Sequence, residues 1–400
     1  MTVTIHRGTH QIGGCVTEVC SGDTRIFIDF GSLLPGEDGV QPEETMSIPG
    51  VTEGEPRCDG VFFTHTHSDH IGQLERILPN IPIYMGETAK EMYLLLNRRL
   101  DRVPTLSKTK CIAALESART YVPAAPITVG SITVTPFLID HSAFDAYMLL
   151  IEAEGLRVLH TGDFRLHGFR GSKTLEMLRK YVGRVDWLIC EGTTLSRTGE
   201  VYKSEHALQA DERAVMERNK RVFVLCSSMN IDRISAFIKA KPDARPTVCD
   251  SYQKDILMCA ERRHGEKTAL YRFGTLWDDK SHNLHRLMEK KGFLAFIRAN
   301  DWSRELLKEF EDGVIVYSMW QGYLSGKTKN PQIAELLQNR QWLPLHTSGH
   351  AFAEDIKRLG ETVNPRRGII PIHSESPAYF KTLFPNQNIV LPSDGETVVL

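Results

Sequence analysis

Short apolar runs separated by turns rich in glycine and proline dominate the first half of the chain. Their length and composition predict strands at residues 3–6, 15–20, 25–28, 61–63, 127–137, 146–151, 157–161 and 185–190. At residues 87–100 and 174–181 the apolar positions instead recur with the 3.6-residue period of a helix. The first half therefore predicts strands that begin as a meander and are interrupted by single helices.

The pattern changes near residue 221, where strands and helices begin to alternate. A strand at residues 222–225 precedes a helix at 231–240, and apolar strands follow at 293–297 and 314–317. Such alternation is typical of a parallel α/β unit. The last part predicts a strand into residues 346–350, a helix at 351–359, a strand at 369–372 and two short terminal strands. The polar stretch 192–204 indicates a domain boundary.

Composition excludes several classes of protein. The 400 residues are 41% hydrophobic and 24% charged, unlike a disordered or collagen-like chain. A net charge of −2 argues against affinity that comes mainly from coating a nucleic-acid backbone with basic residues. Eight scattered cysteines, none in a C-x-x-C pair, exclude a disulfide-stapled domain. Without an apolar leader or a membrane-spanning run, we expect a cytoplasmic protein.

A dense histidine cluster follows the predicted strand at residues 61–63. It reads HTHSDH and presents the pattern H-x-H-x-D-H from His65 to His70. In an extended segment His65 and His67 share one face, and a turn brings Asp69 and His70 to the same cavity. Imidazole combined with carboxylate suits divalent metals such as zinc. Two sets of ligands predict two metal ions.

Further candidate ligands stand at the ends of other predicted strands. His141, Asp163 and His373 each follow an apolar run, as expected where a layered α/β scaffold gathers a site from distant segments. Taken singly, His141 or His373 would more often be a structural, hydrogen-bonded histidine, but together with the cluster they favour metal ligands. Asp29 also follows a strand, and two interpretations stay open: a turn former, or a carboxylate that orients a ligand histidine.

The motifs together resemble a known family. FIDFG at residues 27–31, the HTHSDH cluster, His141-Ser142 and TGDF at 161–164 resemble the first four motifs of the metallo-β-lactamase fold. CEGT at 190–193, CSS at 226–228 with residues 230–233, HTSGHA at 346–351 and PIHSE at 371–375 are similar to the motifs of its β-CASP branch. That branch contains nucleases such as RNase J and the endonuclease subunit of the cleavage and polyadenylation machinery.

This resemblance implies a fold and a complete metal centre. The fold is an α/β metallo-β-lactamase αββα sandwich formed by residues 1–203 and 343–400, with an inserted α/β β-CASP domain at residues 204–342. The cofactors are two divalent ions, zinc or else manganese. The implied roles are one metal held by His65, His67 and His141, a second held by Asp69, His70 and His373, a bridge by Asp163, support by Glu191, and contact with the scissile phosphate by His350.

Three departures from the family pattern bear on function. Ser374 follows the last motif histidine, where RNase J and the polyadenylation branch carry glycine. Glu191 matches the polyadenylation branch, whereas RNase J has aspartate there. Only 27 residues follow His373, so the further C-terminal domain of RNase J has no counterpart in this sequence. The last motif histidine is typically absent from the DNA crosslink-repair branch, so His373 favours RNA.

We therefore predict a metal-dependent phosphodiesterase that cleaves single-stranded RNA, with endonuclease and exonuclease action both open. Hydroxide attacks the phosphorus in line, Asp69 orients it or accepts its proton, and His350 donates to the phosphate or the leaving oxygen. Thr347, Ser348 and Gly349 offer backbone N–H groups just before the predicted helix at residue 351. Capping of that helix is the alternative role of Ser348.

Other functions and partners stay open at this point. A DNA nuclease, or a lactonase or thioesterase acting on small molecules, shares the histidine cluster, and an inactive scaffold subunit would share only the fold. The expected partner is single-stranded RNA and no membrane, and a homo-oligomer is compatible with the sequence. Two sets of basic residues either line an RNA path or are solvated: Arg98, Arg99, Arg102, Lys108 and Lys110, and separately Arg165, Arg170, Lys173 and Arg179. Three aromatic residues either stack on bases or pack internally: Tyr317, Trp320 and Tyr323.

Overall fold

The computed structural model describes residues 1–36, 40–197, 202–325 and 329–400. The chain divides into two compact units. The first contains Met1–Leu34, Pro42–Glu200 and Gly349–Leu400, and the second contains Pro35–Gln41 and Val201–Ser348. Part of the predicted boundary stretch, residues 198–201, lies outside the described residues.

Short strands, most of them of two to six residues, form the sheets of both units. In chain order they are β1 (Thr2–Arg7), β2 (Val16–Ser21), β3 (Thr24–Ile28), β4 (Gly60–Phe62), β5 (Ile83–Met85), β6 (Arg119–Thr120), β7 (Ile127–Val129), β8 (Ile132–Ile139), β9 (Ala146–Ala153), β10 (Leu156–His160), β11 (Trp187–Glu191), β12 (Arg221–Leu225), β13 (Thr247–Val248), β14 (Leu276–Trp277), β15 (Phe293–Ile297), β16 (Val314–Tyr317), β17 (Trp342–Pro344), β18 (Gly368–Ile372) and β19 (Thr397–Val399).

The α-helices flank these strands in both units. They are α1 (Ser68–Ile71), α2 (Glu87–Leu100), α3 (Thr109–Ser117), α4 (Gly171–Met177), α5 (Glu205–Arg218), α6 (Ile231–Ala240), α7 (Ser251–His264), α8 (Leu284–Lys291), α9 (Asp301–Glu309), α10 (Pro331–Leu337), α11 (Ala353–Val363) and α12 (Phe380–Leu383). Within the part of the chain that the structure describes, no helix has the length and apolar character needed to span a bilayer.

The first unit stacks two mixed sheets between helices. The sheet orders are β19-β1-β2-β3-β4-β5-β6 and β18-β11-β10-β9-β8-β7. Alternation along β9 explains the layering, because Leu149 and Ile151 join the core between the sheets while Met148 and Leu150 join the core under α4, α11 and α12. A third core packs the first sheet against α1, α2 and α3. The predicted αββα sandwich is confirmed.

One predicted strand is two strands in the structure. Residues 127–137 divide into β7 and β8, which form an antiparallel hairpin around Gly130 at φ +55°. Ile127, Val129, Ile132 and Val134 all face the same core, so each strand alternates by itself, but the alternation shifts by one residue between Val129 and Ile132. The turn was therefore marked in the sequence both by this shift and by the glycine, and the prediction of one continuous strand was wrong.

The second unit is a parallel α/β layer, as the alternation predicted. Its sheet has the order β14-β13-β15-β12-β16-β17, and each pair is parallel. Phe293 contacts Phe223 and Phe310 on one face of the sheet, and Phe237 of α6 packs on Phe296 on the other. β17 crosses the predicted boundary at residue 342 and pairs with β16, so this unit extends to Ser348.

A buried carboxylate in α5 allows a stability prediction. Neither oxygen of Glu212 has a hydrogen-bond partner among the described residues, whereas nearby Glu205 forms a bidentate pair with Arg233 at 2.7 and 3.0 Å. Burial raises the pKa of Glu212 well above its ordinary value, although Arg233 lowers it. Replacing this unsatisfied group with a hydrophobic residue removes its desolvation cost.

We expect Glu212→Leu to raise the free energy of unfolding by about 1–3 kcal/mol in denaturant titrations. Glu205→Leu should lower it by about 3–5 kcal/mol, because it leaves a buried arginine unpaired. The exposed Glu217 on the same helix provides the control, since Glu217→Leu should change little. A less stable Glu212→Leu protein would contradict the expectation.

Candidate metal centre

The candidate ligands of the first unit all follow the carboxyl ends of strands. The HTHSDH segment comes after β4, and His141, Asp163 and His373 come after β8, β10 and β18. β10, β11 and β18 are parallel neighbours, so their carboxyl ends meet at one edge of the sheet. Glu191, the last residue of β11, stands at the same edge.

The loop after β3 lies directly against the HTHSDH segment. Phe30 N–H donates to the carbonyl of His70 at 2.7 Å, and Cys15 N–H donates to that of Asp69 at 2.9 Å. A Cβ atom at Gly31 would lie 1.7 Å from the carbonyl oxygen of Asp69. Only glycine permits this approach, so the FIDFG motif fixes the backbone beside the ligands.

Three ring nitrogens converge in the first set of ligands. His67 Nδ1 lies 3.2 Å from His65 Nε2 and 3.1 Å from His141 Nε2. His141 Nδ1–H donates to the carbonyl of Gly349 at 2.7 Å, and His65 Nδ1–H donates to the hydroxyl of Thr64 at 3.0 Å. Both Nε2 atoms therefore present lone pairs to the centre. Two nitrogens bound tetrahedrally to zinc lie about 3.3 Å apart, so the set fits a metal ion.

The protonation of these rings agrees with that fit. Burial, followed by the positive potential of neighbouring histidines, holds the pKa of His65 and His141 well below its ordinary range despite Asp163. Burial lowers the pKa of His67 to about 4, although Asp69 and Asp163 raise it. Near neutral pH the three rings are therefore uncharged, which is the form that coordinates metals.

Asp163 lies between the two sets of ligands. Its Oδ2 atom is 3.1 Å from His70 Nε2, 3.7 Å from His65 Nε2 and 3.7 Å from His373 Nε2. Neither oxygen of Asp163 has a hydrogen-bond partner among the described residues, and His70 Nε2 has none either, although all three atoms are buried. Burial raises the pKa of Asp163, but His70 and His373 hold it well below its ordinary range. A buried anion in this position requires a cation beside it. Either a metal ion or a protonated His70 meets that requirement, since burial lowers the pKa of His70 but Asp163 and Asp29 raise it more.

The second set fits a metal less completely than the first. His373 Nε2 lies 3.6 Å from Asp69 Oδ2, but Gly13 N–H donates to the Nδ1 atom of the same ring at 3.0 Å. The neutral ring then carries its proton on Nε2, which a metal ion would have to displace. Sequence reasoning missed Cys15, whose Sγ atom lies 3.0 Å from His373 Nδ1. In the sequence, the Gly13-Gly14 pair directly before Cys15 was the available signal that this segment turns towards the site.

Asp29 both forms a turn and orients a candidate ligand. It stands at φ +58° and accepts hydrogen bonds from Thr64 N–H at 2.7 Å and from the Thr64 hydroxyl at 2.8 Å. Its Oδ2 atom also accepts the Nδ1–H of His70 at 2.7 Å, which directs His70 Nε2 towards Asp163. Both interpretations that the sequence left open therefore apply to Asp29.

We expect Asp29→Asn to weaken metal binding by about 10–100-fold, because an amide orients His70 less strongly than a carboxylate does. Asparagine tolerates the positive φ, so the fold should persist. Competition with a fluorescent chelator gives the dissociation constant. Asp23→Asn, an exposed change in the preceding turn, is the control, and equal affinities for the two variants would contradict the prediction.

His350 and Glu191 form a pair beside Asp163. His350 Nδ1–H donates to Glu191 Oε2 at 3.1 Å and lies 3.5 Å from Asp163 Oδ2. Glu191 is completely buried, and its Oε1 atom accepts Phe164 N–H at 2.8 Å. Burial lowers the pKa of His350, but Glu191 and Asp163 raise it more, so the net shift is upward. The ring is therefore suited to donate a proton.

The predicted phosphate-binding segment does not begin a helix. α11 starts at Ala353, whereas the sequence predicted a helix from residue 351. Thr347, Ser348 and Gly349 therefore lie outside its first turn, and the proposed helix dipole and the capping role of Ser348 are wrong. In the second unit Thr347 donates from its hydroxyl to the carbonyl of Lys203 at 2.6 Å, and its own carbonyl accepts from Arg233.

Two family models match parts of the chain, and curated relatives match nearly all of it. Residues 24–220 match the model of the beta-lactamase superfamily domain, and residues 344–380 match the model of the Zn-dependent metallo-hydrolase RNA specificity domain. The chain is 24% identical to ribonuclease J of Mycobacterium tuberculosis strain H37Rv, over all of this chain and 75% of that protein. It is 23% identical to ribonuclease J of Synechocystis, over 98% of this chain and 64% of the relative.

A solved structure shares the fold over its whole length. The crystal structure of a protein of unknown function from Enterococcus faecalis V583 superposes with a TM-score of 0.76 at 22% sequence identity. The match covers 100% of this chain and 99% of that one. The shared fold therefore includes both units.

Proposed function

The chain belongs to the metallo-β-lactamase fold hydrolases, in the β-CASP branch that is similar to ribonuclease J, and on this premise we propose that it hydrolyses single-stranded RNA with two divalent metal ions. The observation that carries the proposal is the convergence of three neutral ring nitrogens beside the shared, buried carboxylate of Asp163. The match of residues 344–380 to an RNA specificity domain supports RNA as the substrate.

Two sets of donors would hold the metals. They are His65, His67 and His141 for the first ion, and Asp69, His70 and His373 for the second, with Asp163 common to both. Nitrogen and carboxylate donors favour zinc, with manganese as the alternative. When bound, such ions lower the pKa of water and offset the negative charge of a phosphodiester. We expect the all-histidine set to fill first, because His373 must lose a proton to act as a ligand.

Two side chains carry the proton transfers, and a third positions one of them. As water attacks the phosphorus, Asp69 takes its proton, and the bond from phosphorus to the leaving oxygen breaks. His350 delivers its proton to that oxygen, so the alkoxide leaves as an alcohol. Glu191 holds His350 in place and favours its charged form. The amides of Thr347, Ser348 and Gly349 stay our candidates for contacts with the phosphate.

A substrate panel tests this proposal directly. The purified protein, with its metal content measured, is incubated separately with 5′-labelled single-stranded RNA, the matching DNA, a lactone and a thioester. We expect RNA to be cleaved and cleavage to stop when a chelator removes the metals. Asp69→Asn should retain binding of the RNA but lose cleavage. Turnover of the lactone or thioester with both nucleic acids intact would overturn the assignment, and equal cleavage of DNA would overturn the preference for RNA.

A further inference from the structure

A cationic pocket lies at the amino edge of the sheet in the second unit. It has a volume of about 310 Å³ and lies next to the residues that lead into β13, β14 and β15. Three basic side chains line it, Lys241, Arg245 and Lys291, together with Trp277. Nothing in the proposed chemistry uses these residues, since the candidate ligands all belong to the first unit.

The charge of this pocket is poorly compensated. The side chains of Lys241 and Lys291 form no ion pair or hydrogen bond with the described residues, and the guanidinium of Arg245 donates to the carbonyls of Met216 and Asn219. Asp243 is the one acidic residue among those lining the described pocket. Burial lowers the pKa of Lys241, and the nearby Arg245 lowers it further although Asp243 raises it. A cluster of cations without matching acids creates a positive potential that favours an anionic ligand.

Two of the basic residues proposed from the sequence are paired within the first unit. Arg98 is paired with Glu116 at 2.8 Å, and Arg165 is completely buried against Asp140 at 2.7 Å. The candidate stacking residue Tyr317 is also completely buried. For these residues the structure favours the alternatives of surface pairing and internal packing. Two lysines whose side chains have no partner among the described residues, Lys241 and Lys291, lie instead beside Trp277, which is half-buried against the core and lines the pocket.

The aromatic ring narrows the class of anion. Trp277 is half-buried on β14, the edge strand of its sheet, and its indole contributes to the wall of the pocket. Cationic side chains beside an accessible aromatic ring are the combination that binds single-stranded nucleic acid, because bases stack while phosphates pair with the charges. We propose that this pocket binds nucleotides of single-stranded RNA outside the catalytic centre, with phosphates near Lys241 and Lys291 and a base on Trp277. The proposal rests on the proposed function.

The position of the pocket determines which substrates it affects. β15 has five residues, so the amino edge is about 16 Å from the carboxyl edge, where β17 leads into residues 345–348. At about 3.4 Å per stacked nucleotide, an RNA shorter than about five nucleotides cannot reach from one edge to the other. The pocket should therefore strengthen the binding of long RNA and leave the hydrolysis of a dinucleotide unchanged.

Paired double variants test the proposal. Fluorescence anisotropy measures binding of a 15-nucleotide RNA with phosphorothioate linkages, which resists hydrolysis, and a separate assay measures cleavage of a dinucleotide. Lys241→Ala/Lys291→Ala should weaken binding of the 15-mer by at least about 10-fold and reduce the slope of log K against log salt by about 1.4, from two lost phosphate contacts. Lys280→Ala/Lys290→Ala removes the same charge from exposed positions in the same unit and should weaken binding less than 2-fold.

Trp277 provides the independent arm. Trp277→Phe should retain binding, and Trp277→Leu should weaken it by about 5–100-fold, with thermal unfolding confirming that each variant is folded. Equal losses in both lysine pairs, or displacement of the RNA by inorganic phosphate at millimolar concentration, would overturn the nucleotide site. Equal binding of DNA would overturn its specificity for RNA. If the unmodified protein fails to cleave any RNA, the proposed function is at fault, whereas RNA cleavage with all variants binding equally refutes the pocket alone.

Discussion

Asp163→Asn is expected to remove most of the bound metal and to lower RNA hydrolysis by at least about 1,000-fold. The change keeps the shape of the side chain but removes the buried negative charge that lies within 4 Å of ring nitrogens from both sets of ligands. Loss of metal-ion catalysis costs several kcal/mol of transition-state stabilisation, which corresponds to about three orders of magnitude.

The measurements are the metal content per chain by mass spectrometry and the initial rate of RNA cleavage. Asp255→Asn makes the same chemical change at an exposed position of α7 and should leave both quantities unaltered. Because Asp163 is shared, its variant should lose metal from both sets, whereas His141→Ala should affect the first set more than the second. An Asp163→Asn protein with its full metal content would contradict the shared role.

His350→Ala is expected to lower RNA cleavage by about 100–10,000-fold while the metal content is retained. His350 lies 3.5 Å from Asp163 and donates to Glu191, so we assign it to protonation of the leaving oxygen rather than to metal binding. A substrate whose leaving group needs no proton should reveal this difference. We therefore expect bis(p-nitrophenyl) phosphate to lose far less activity than RNA in the same variant.

Two further variants separate this role from a structural one. His282→Ala removes an exposed histidine of the second unit and should change neither activity. Glu191→Gln should reduce RNA cleavage, and the double variant with His350→Ala should be no worse than His350→Ala alone, since the two residues act as one unit. Equal losses on RNA and on the activated diester would exclude proton donation by His350.

Local patterns predicted the elements whose side chains have one clear face. α2, α6, β15 and β16 have the predicted boundaries, because each buries an apolar stripe or run that ends at polar residues. Predictions failed at one turn and at one helix start. The β7–β8 hairpin turns at Gly130, where the alternation shifts by one residue, and α11 begins at Ala353, two residues later than predicted.

The identity and order of the candidate ligands could be read from the sequence, because H-x-H-x-D-H and the polar residues at strand ends are local features. The direction of each ring could not. His70 is oriented by Asp29, 41 residues away, and His141 by the carbonyl of Gly349, 208 residues away. The number of basic residues could likewise be read from the sequence, but not which of them have acidic partners. Arg165 is paired with Asp140, whereas the Lys241 side chain has no partner among the described residues.

The physical reason is the range of the interactions involved. Residue type and hydrophobic periodicity act along the chain, so the sequence by itself determined the layers of the fold and the set of available donors. Which nitrogen carries a proton, and which charge lacks a partner, depends on hydrogen bonds and ion pairs between distant segments. Only the tertiary structure decided these, and it placed the unprotonated Nε2 atoms of His65 and His141 at 3.7 and 3.9 Å from Asp163 and uncompensated lysines beside Trp277.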